Sequence, residues 1–301
     1  MISKEFTTEE YFKDWEFITN SHLKYYEKCP HYYSEKKAGN VQEIEKDYFT
    51  YGKLVDTILS GKNIEDNFCI GGTKESPEEL RMAIKILEEE IDELIINGKT
   101  KFKAKTDRLE KLNEKLELSL SSEGKTSITE TVLAHGTATA KEMKSQPLYS
   151  AFDNCKTQTI IAIEINGIKV KGMFDKLDLE NKILCDDKTT ANMNTFDPRM
   201  YLQQLAWYRW IVRENYGIEV DCYLAVGDKF TDYKRSSMFY ISPALLDWQE
   251  QLNKELLEKF LAEKDFIPVT ETNENAREEI CFKCDHYTNC QFSRQKSFII
   301  I

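Results

Sequence analysis

Residues 157–190, "TQTIIAIEINGIKVKGMFDKLDLENKILCDDKTT", break sharply with the chain before them. Upstream, apolar side chains recur with a period near 3.6. Here they alternate in twos, interrupted by turn signals at Asn166-Gly167 and at Leu179–Lys182. Such a stretch predicts three consecutive strands joined by tight turns. An aromatic-rich helix, "DPRMYLQQLAWYRWIVRENYG", follows, and after it another strand, "EVDCYLAVGD". The last periodic segment is a helix, "SPALLDWQEQLNKELLEKFLAEK", with Ser242 as its N-cap and Pro243 in its first turn. Strands followed by helix, strand and helix predict an α/β protein.

The segments before this core read as helices. "SHLKYYEKCPHYYSEKK" is rich in aromatics, and "DYFTYGKLVDTILSG" puts Leu54, Val55, Ile58 and Leu59 on one side. Residues 74–120 form two Leu/Ile- and Glu/Lys-rich arms broken at "NGKTKFKAKT", which predicts a helical hairpin inserted into a single domain spanning 1–301. A further helical segment runs from Ile128 to Ser150. With 301 residues, 41% of them hydrophobic, the chain can bury a sizeable core. A formal net charge of -11 argues against a surface coated in basic residues, although a local basic channel would survive that average. No run of about eighteen apolar residues occurs, and the first residues form neither a basic nor an apolar signal region, so a cytoplasmic protein without membrane contact is expected.

Acids sit on the ends of strands otherwise suited to burial. Asp175 and Asp186 would lie at adjacent strand ends, where two carboxylates and a further ligand make a hard-oxygen site for Mg2+ or Mn2+. Lys188 is two residues from Asp186 and shares its face, whereas Asp187 points away and can offer only its backbone carbonyl. A lysine there would orient an attacking water and neutralise charge on a phosphate. Gln204 and Tyr208, four apart, share one face of the following helix.

In this order the residues resemble the PD-(D/E)XK nuclease superfamily, and within it the RecB-like and exodeoxyribonuclease VIII (RecE-like) phage exonucleases. The matching positions are Ser21, Leu23 and Tyr26; Gly52 and Asp56; Gly172 and Asp175; Asp186, Lys188 and Thr189; Gln204 and Tyr208. The resemblance implies a mixed central sheet flanked by helices and a Mg2+-dependent DNA exonuclease. It also implies 5'-to-3' resection of linear double-stranded ends, with a recombinase partner and a homo-oligomeric assembly. Two positions depart from the pattern. Asp56 stands where a histidine is expected, so a carboxylate would replace an imidazole as metal ligand. The upstream glutamate is taken as Glu164, with Gln158 standing where some relatives place it.

Cys281, Cys284 and Cys290 form a C-x2-C-x5-C tail, and Cys29 precedes Pro30 far upstream. Four thiolates suit an iron-sulfur cluster or a structural zinc equally by count. The resemblance to iron-sulfur RecB-like nucleases, including those of CRISPR adaptation that trim DNA ends, favours a [4Fe-4S] cluster closing the tail (281–290) on the N-terminal helix. A non-catalytic DNA-binding module that kept the fold is the alternative. "SEGKT" at 122–126 imitates a phosphate-binding loop, but Ser119 stands where its first glycine must be. The histidines His22, His31, His135 and His286 show no metal-ligand spacing.

Overall fold

A computed structural model describes residues 5–39, 41, 47–71, 77–97, 103–121, 124–229 and 235–262. The N-terminal third is helical: α1 (Thr8–Lys13), α2 (Asn20–Lys28), α3 (Pro30–Lys37) and α4 (Asp47–Leu59). Strand β1 (Phe68–Ile70) then leads into α5 (Pro77–Ile96) and α6 (Lys103–Ser121). These two helices pack on each other, with Lys105 Nζ 2.5 Å from Glu90 Oε2. Strand β2 (Thr126–Ile128) returns to pair in parallel with β1, so the helix pair is a detour between the two strands of a small ribbon. Helix α7 (Glu130–Lys144) follows, its first turn capped by the Thr129 hydroxyl, which accepts from Val132 N at 3.2 Å.

The alternating stretch is three strands, β3 (Lys156–Ile165), β4 (Ile168–Asp178) and β5 (Ile183–Thr190). Gly167, in the turn between β3 and β4, takes φ +81°, a conformation open to a residue without a Cβ. A 3-10 turn (Pro198–Tyr201) leads into α8 (Leu202–Tyr216), then β6 (Asp221–Asp228), β7 (Ser236–Ile241) and α9 (Pro243–Ala262). The expected aromatic helix thus loses its first turn to 3-10 geometry. Strand β7, "SSMFYI", was not foreseen.

Sheet order is β3-β4-β5-β6-β7, antiparallel except for the parallel pair β5 and β6 that α8 connects. This is the mixed central sheet flanked by helices that the resemblance implied. Alternation along β5 assigns its faces. Leu184 enters a core with Trp207, Leu205 and Ile211 of α8, while Cys185 enters another with Tyr51 and Val55 of α4, Met143 of α7 and Tyr149. Helix α8 approaches closely because Gly172 faces it. A Cβ there would lie 3.0 Å from Tyr208 Cδ1 and 3.3 Å from Ile211 Cδ1.

Strands β4 and β5 pair only from Lys176–Asp178 to Ile183–Cys185 and then splay. Ile18 bridges to Val170 in parallel and exchanges backbone hydrogen bonds with Lys169 and Lys171. The buried Lys171 ammonium donates to the carbonyls of Tyr11 and Asp14, both at 2.7 Å, tying the N-terminal segment to β4. Among the described residues no helix is long and apolar enough to cross a membrane.

Candidate active site

The splay opens directly beside Asp175. Its carboxylate takes over where the strand ladder stops, with Oδ2 accepting the backbone N–H of Asp187 at 2.9 Å. Across the gap, Asp186 and Lys188 share the α8 side of β5. Lys188 Nζ lies 2.6 Å from Asp186 Oδ2 and 3.9 Å from Asp175 Oδ2, and also donates to the carbonyl of Asp187 at 3.3 Å. Burial would lower the Lys188 pKa, but Asp186 and Asp175 outweigh it and hold the ammonium above its ordinary value. Burial pushes the Asp186 carboxyl up, against the pull of Lys188.

Helix α8 supplies the next layer. Gln204 Nε2 donates both its hydrogens, to Asp186 Oδ1 at 3.0 Å and to Tyr208 Oη at 2.9 Å, so the amide fixes the carboxylate against the helix. Asp186 Oδ2 is buried, and its near neighbour is the Lys188 ammonium at 2.6 Å. A buried carboxylate oxygen is a ready acceptor for a cation. The Lys188 ammonium also sits 5.5 Å from the centre of the Tyr201 ring.

Asp56 reaches the cluster from α4. Both its oxygens accept from Gln158 Nε2, at 3.1 and 3.0 Å, and burial followed by the charges of Asp175 and Asp187 raises its pKa. By strand register Gln158 falls opposite Asp175, at a position the ladder skips, with a left-handed φ of +52°. A non-glycine residue holds that conformation only under local constraint. Gly52, one turn before Asp56 on α4, would bring a Cβ to an ordinary 3.6 Å from Thr189 Oγ1.

The remaining expected residues divide. Glu164 is a correction: it pairs with Lys169 at the closed end of the β3-β4 hairpin, six residues and about 20 Å along the strand from Gln158, too far to join Asp175. Asp187 turns its carboxylate to the opposite face, into contact with Lys176 Nζ, with the Tyr149 hydroxyl 3.4 Å from both oxygens. Neither Lys176 nor Tyr149 stood out in the sequence, because a lysine on a strand and a tyrosine in a turn carry no motif. Cys29 joins α2 to α3 at a half-buried elbow. Its expected partners Cys281, Cys284 and Cys290 lie outside the described residues.

Among the described residues no three His, Cys, Asp or Glu side chains converge as a ready-made metal cage. The donor set nonetheless suits a hard cation. Mg2+ binds through one or two carboxylates and completes its shell with water and substrate phosphate, and Asp175 with Asp186 provides that pair, Lys188 lying against both.

Comparison with known proteins bears on the fold and the family. A crystal structure of the protein named "Putative exonuclease" from Eubacterium rectale superposes with a TM-score of 0.57 at 15% identity, covering 97% of this chain and 93% of that one. At that identity the likeness speaks for the fold. A second structure, SSO0001, reaches a TM-score of 0.31 at 17% identity over 62% of this chain and 80% of its own, too low to carry an argument. No curated protein matches the chain. The profile of one family matches residues 19–289, a span that takes in every element of the site, and the chain therefore belongs to the PDDEXK-like domain family of unknown function (DUF3799).

Proposed function

We propose that this protein is a divalent-metal-dependent deoxyribonuclease that hydrolyses phosphodiester bonds at the splayed edge of β4 and β5. The observation that carries the reading is the Lys188 ammonium, 2.6 Å from Asp186 and 3.9 Å from Asp175 and held charged by them, beside a buried carboxylate oxygen with no hydrogen bond. Asp175 and Asp186, with Asp56 at the margin, would hold Mg2+ or Mn2+. The bound ion would supply Lewis-acid stabilisation of the phosphate and an activated water. Lys188 orients the attacking water and offsets the negative charge that builds on the phosphate oxygens. Gln204 keeps Asp186 from turning away, and Tyr208 anchors Gln204 in turn. The product would carry a 5'-phosphate.

Within this reading, processing of linear double-stranded ends in the 5'-to-3' direction, serving phage or mobile-element recombination, rests on the resemblance to RecE-like sequences. So does a [4Fe-4S] cluster on Cys29, Cys281, Cys284 and Cys290. Linear duplex DNA labelled at either end, incubated with Mg2+ and the wild type or Lys188→Ala, tests activity and polarity together. Release of the 5' label by wild type alone supports the whole reading. Release from the 3' end keeps the nuclease and removes the RecE-like direction. A visible spectrum after anaerobic purification decides the cluster separately. One observation favours a binding module instead: Asp56 is engaged on both oxygens by Gln158, where a histidine and a glutamate were expected. DNA binding without cleavage in either Mg2+ or Mn2+ would establish that alternative.

A further inference from the structure

Lys24 and Glu27 lie three residues apart on α2 and so share one face of the helix. That face meets the start of α8, where Gln203 donates to Glu27 Oε2 at 3.3 Å. The next residue of α8 is Gln204, which holds Asp186. Lys24, on the same face, lies near enough to Asp186 and Lys188 for both charges to act on it. Burial and the like charge of Lys188 lower its pKa, with Asp186 and Glu27 pulling the other way.

Among the described residues Lys24 has no hydrogen-bond or ion-pair partner. The acids that could serve are engaged elsewhere, Glu27 by Gln203 and Asp186 by Lys188 and Gln204. The buried lysines Lys171 and Lys176 are different, because each meets an aspartate, Asp14 and Asp187. A partly buried ammonium next to a second cation and without a counter-ion costs free energy in the free protein. An anion arriving with the substrate would remove that cost.

We propose that Lys24 is a substrate-binding residue that ion-pairs with a backbone phosphate of the DNA strand next to the phosphate being cleaved. The assignment rests on the nuclease reading for where the strand runs. As a compact point charge on a flexible stem, a lysine suits a phosphate without reading sequence.

The test uses full-length protein without divalent metal, so that nothing is cut, and a fluorescein-labelled linear DNA duplex whose binding is followed by polarisation across a series of NaCl concentrations. Lys24→Gln should weaken binding roughly fivefold and lower the salt slope by about one. Lys24→Arg should stay near wild type, Lys28→Gln on the next turn of α2 should lose less, and the melting temperature of Lys24→Gln should not fall. Unchanged affinity and salt slope in Lys24→Gln, an equal loss in Lys28→Gln, or a wild type that binds no DNA would overturn the proposal. Lys24-dependent binding by a protein that never cleaves with Mg2+ keeps the proposal and removes the nuclease reading. Cleavage with Lys24-independent binding does the reverse.

Discussion

Asp186 and Asp187 are adjacent on β5 and both buried in side chain, yet the two faces of the strand treat them differently. Asp187 meets Lys176 and the Tyr149 hydroxyl in a closed arrangement whose two charged members are each about 4% exposed. Asp186 faces a splayed strand edge and keeps one oxygen without a hydrogen bond. Burial raises both carboxyls against the pull of a neighbouring lysine. Burial and a lysine partner therefore do not distinguish a structural acid from a reactive one. The distinction lies in what else reaches the oxygens. On one side the protein itself finishes the shell, and on the other, in the proposed reading, a cation and a phosphate would complete it.

The strongest break of that comparison is on the open side. Lys188→Ala should lower DNA hydrolysis by about 10²- to 10³-fold, the usual scale for losing one transition-state charge partner. Steady-state rates on linear duplex check it, and activity near wild type would remove Lys188 from the chemistry. On the closed side, Asp187→Asn leaves the Lys176 ammonium buried with no counter-charge and should cost about 3–5 kcal/mol of stability. Denaturant unfolding reads that loss.

Asp186→Asn should separate the two faces most sharply, by abolishing cleavage without a matching loss of stability. The Asp186 carboxyl is raised to about 7 in the fold, above its ordinary unfolded value, so its contribution is favourable below about pH 4 and is lost as pH rises through 7. Removing the charge should therefore raise the melting temperature of the metal-free protein at pH 8 relative to wild type, and the gain should shrink as pH falls and vanish only below about pH 4. A lower melting temperature at pH 8 would mean that Asp186 is as structural as Asp187.

Gly172→Ala should cost about 1–3 kcal/mol by pushing α8 off β4, and should disturb Asp186 through Tyr208 and Gln204. Its effect on activity should exceed that of an equally destabilising change elsewhere in the sheet. The smallest effect concerns His22, which burial and then the charge of Lys171 depress to about 4. It stays neutral in the fold, so the stability it contributes is complete above about pH 6.5 and is lost as pH falls toward 4. His22→Gln should flatten that limb of the stability profile while leaving both aspartates unaffected.

Much of this was legible in the sequence. Period-2 alternation marks β3, β4 and β5 because successive side chains of a strand point to opposite faces of the sheet, and those faces differ in environment. The pair Asp186 and Lys188, two apart, reveals a shared face for the same reason, and Gln204 with Tyr208 does so at the helical spacing of four. Glu164 was misread because an acid on the right strand says nothing about which end of the hairpin it occupies. Strand β7 escaped because six residues carry too little pattern to be seen alone.

Local periodicity, then, settled by itself that Asp175, Asp186 and Lys188 sit on adjacent strands and that Asp186 and Lys188 share a face from which Asp187 points away, because pleat is a property of neighbouring residues; that they lie inside their strands rather than at the ends came from the structure. Tertiary structure alone decided that β4 and β5 splay beside Asp175, that Gln158 rather than Glu164 stands across from it, and that Lys24 arrives from a helix more than a hundred residues earlier. Those facts depend on register and on close packing between distant segments, such as Gly172 against Tyr208, and no short-range pattern in a chain encodes where two strands stop pairing.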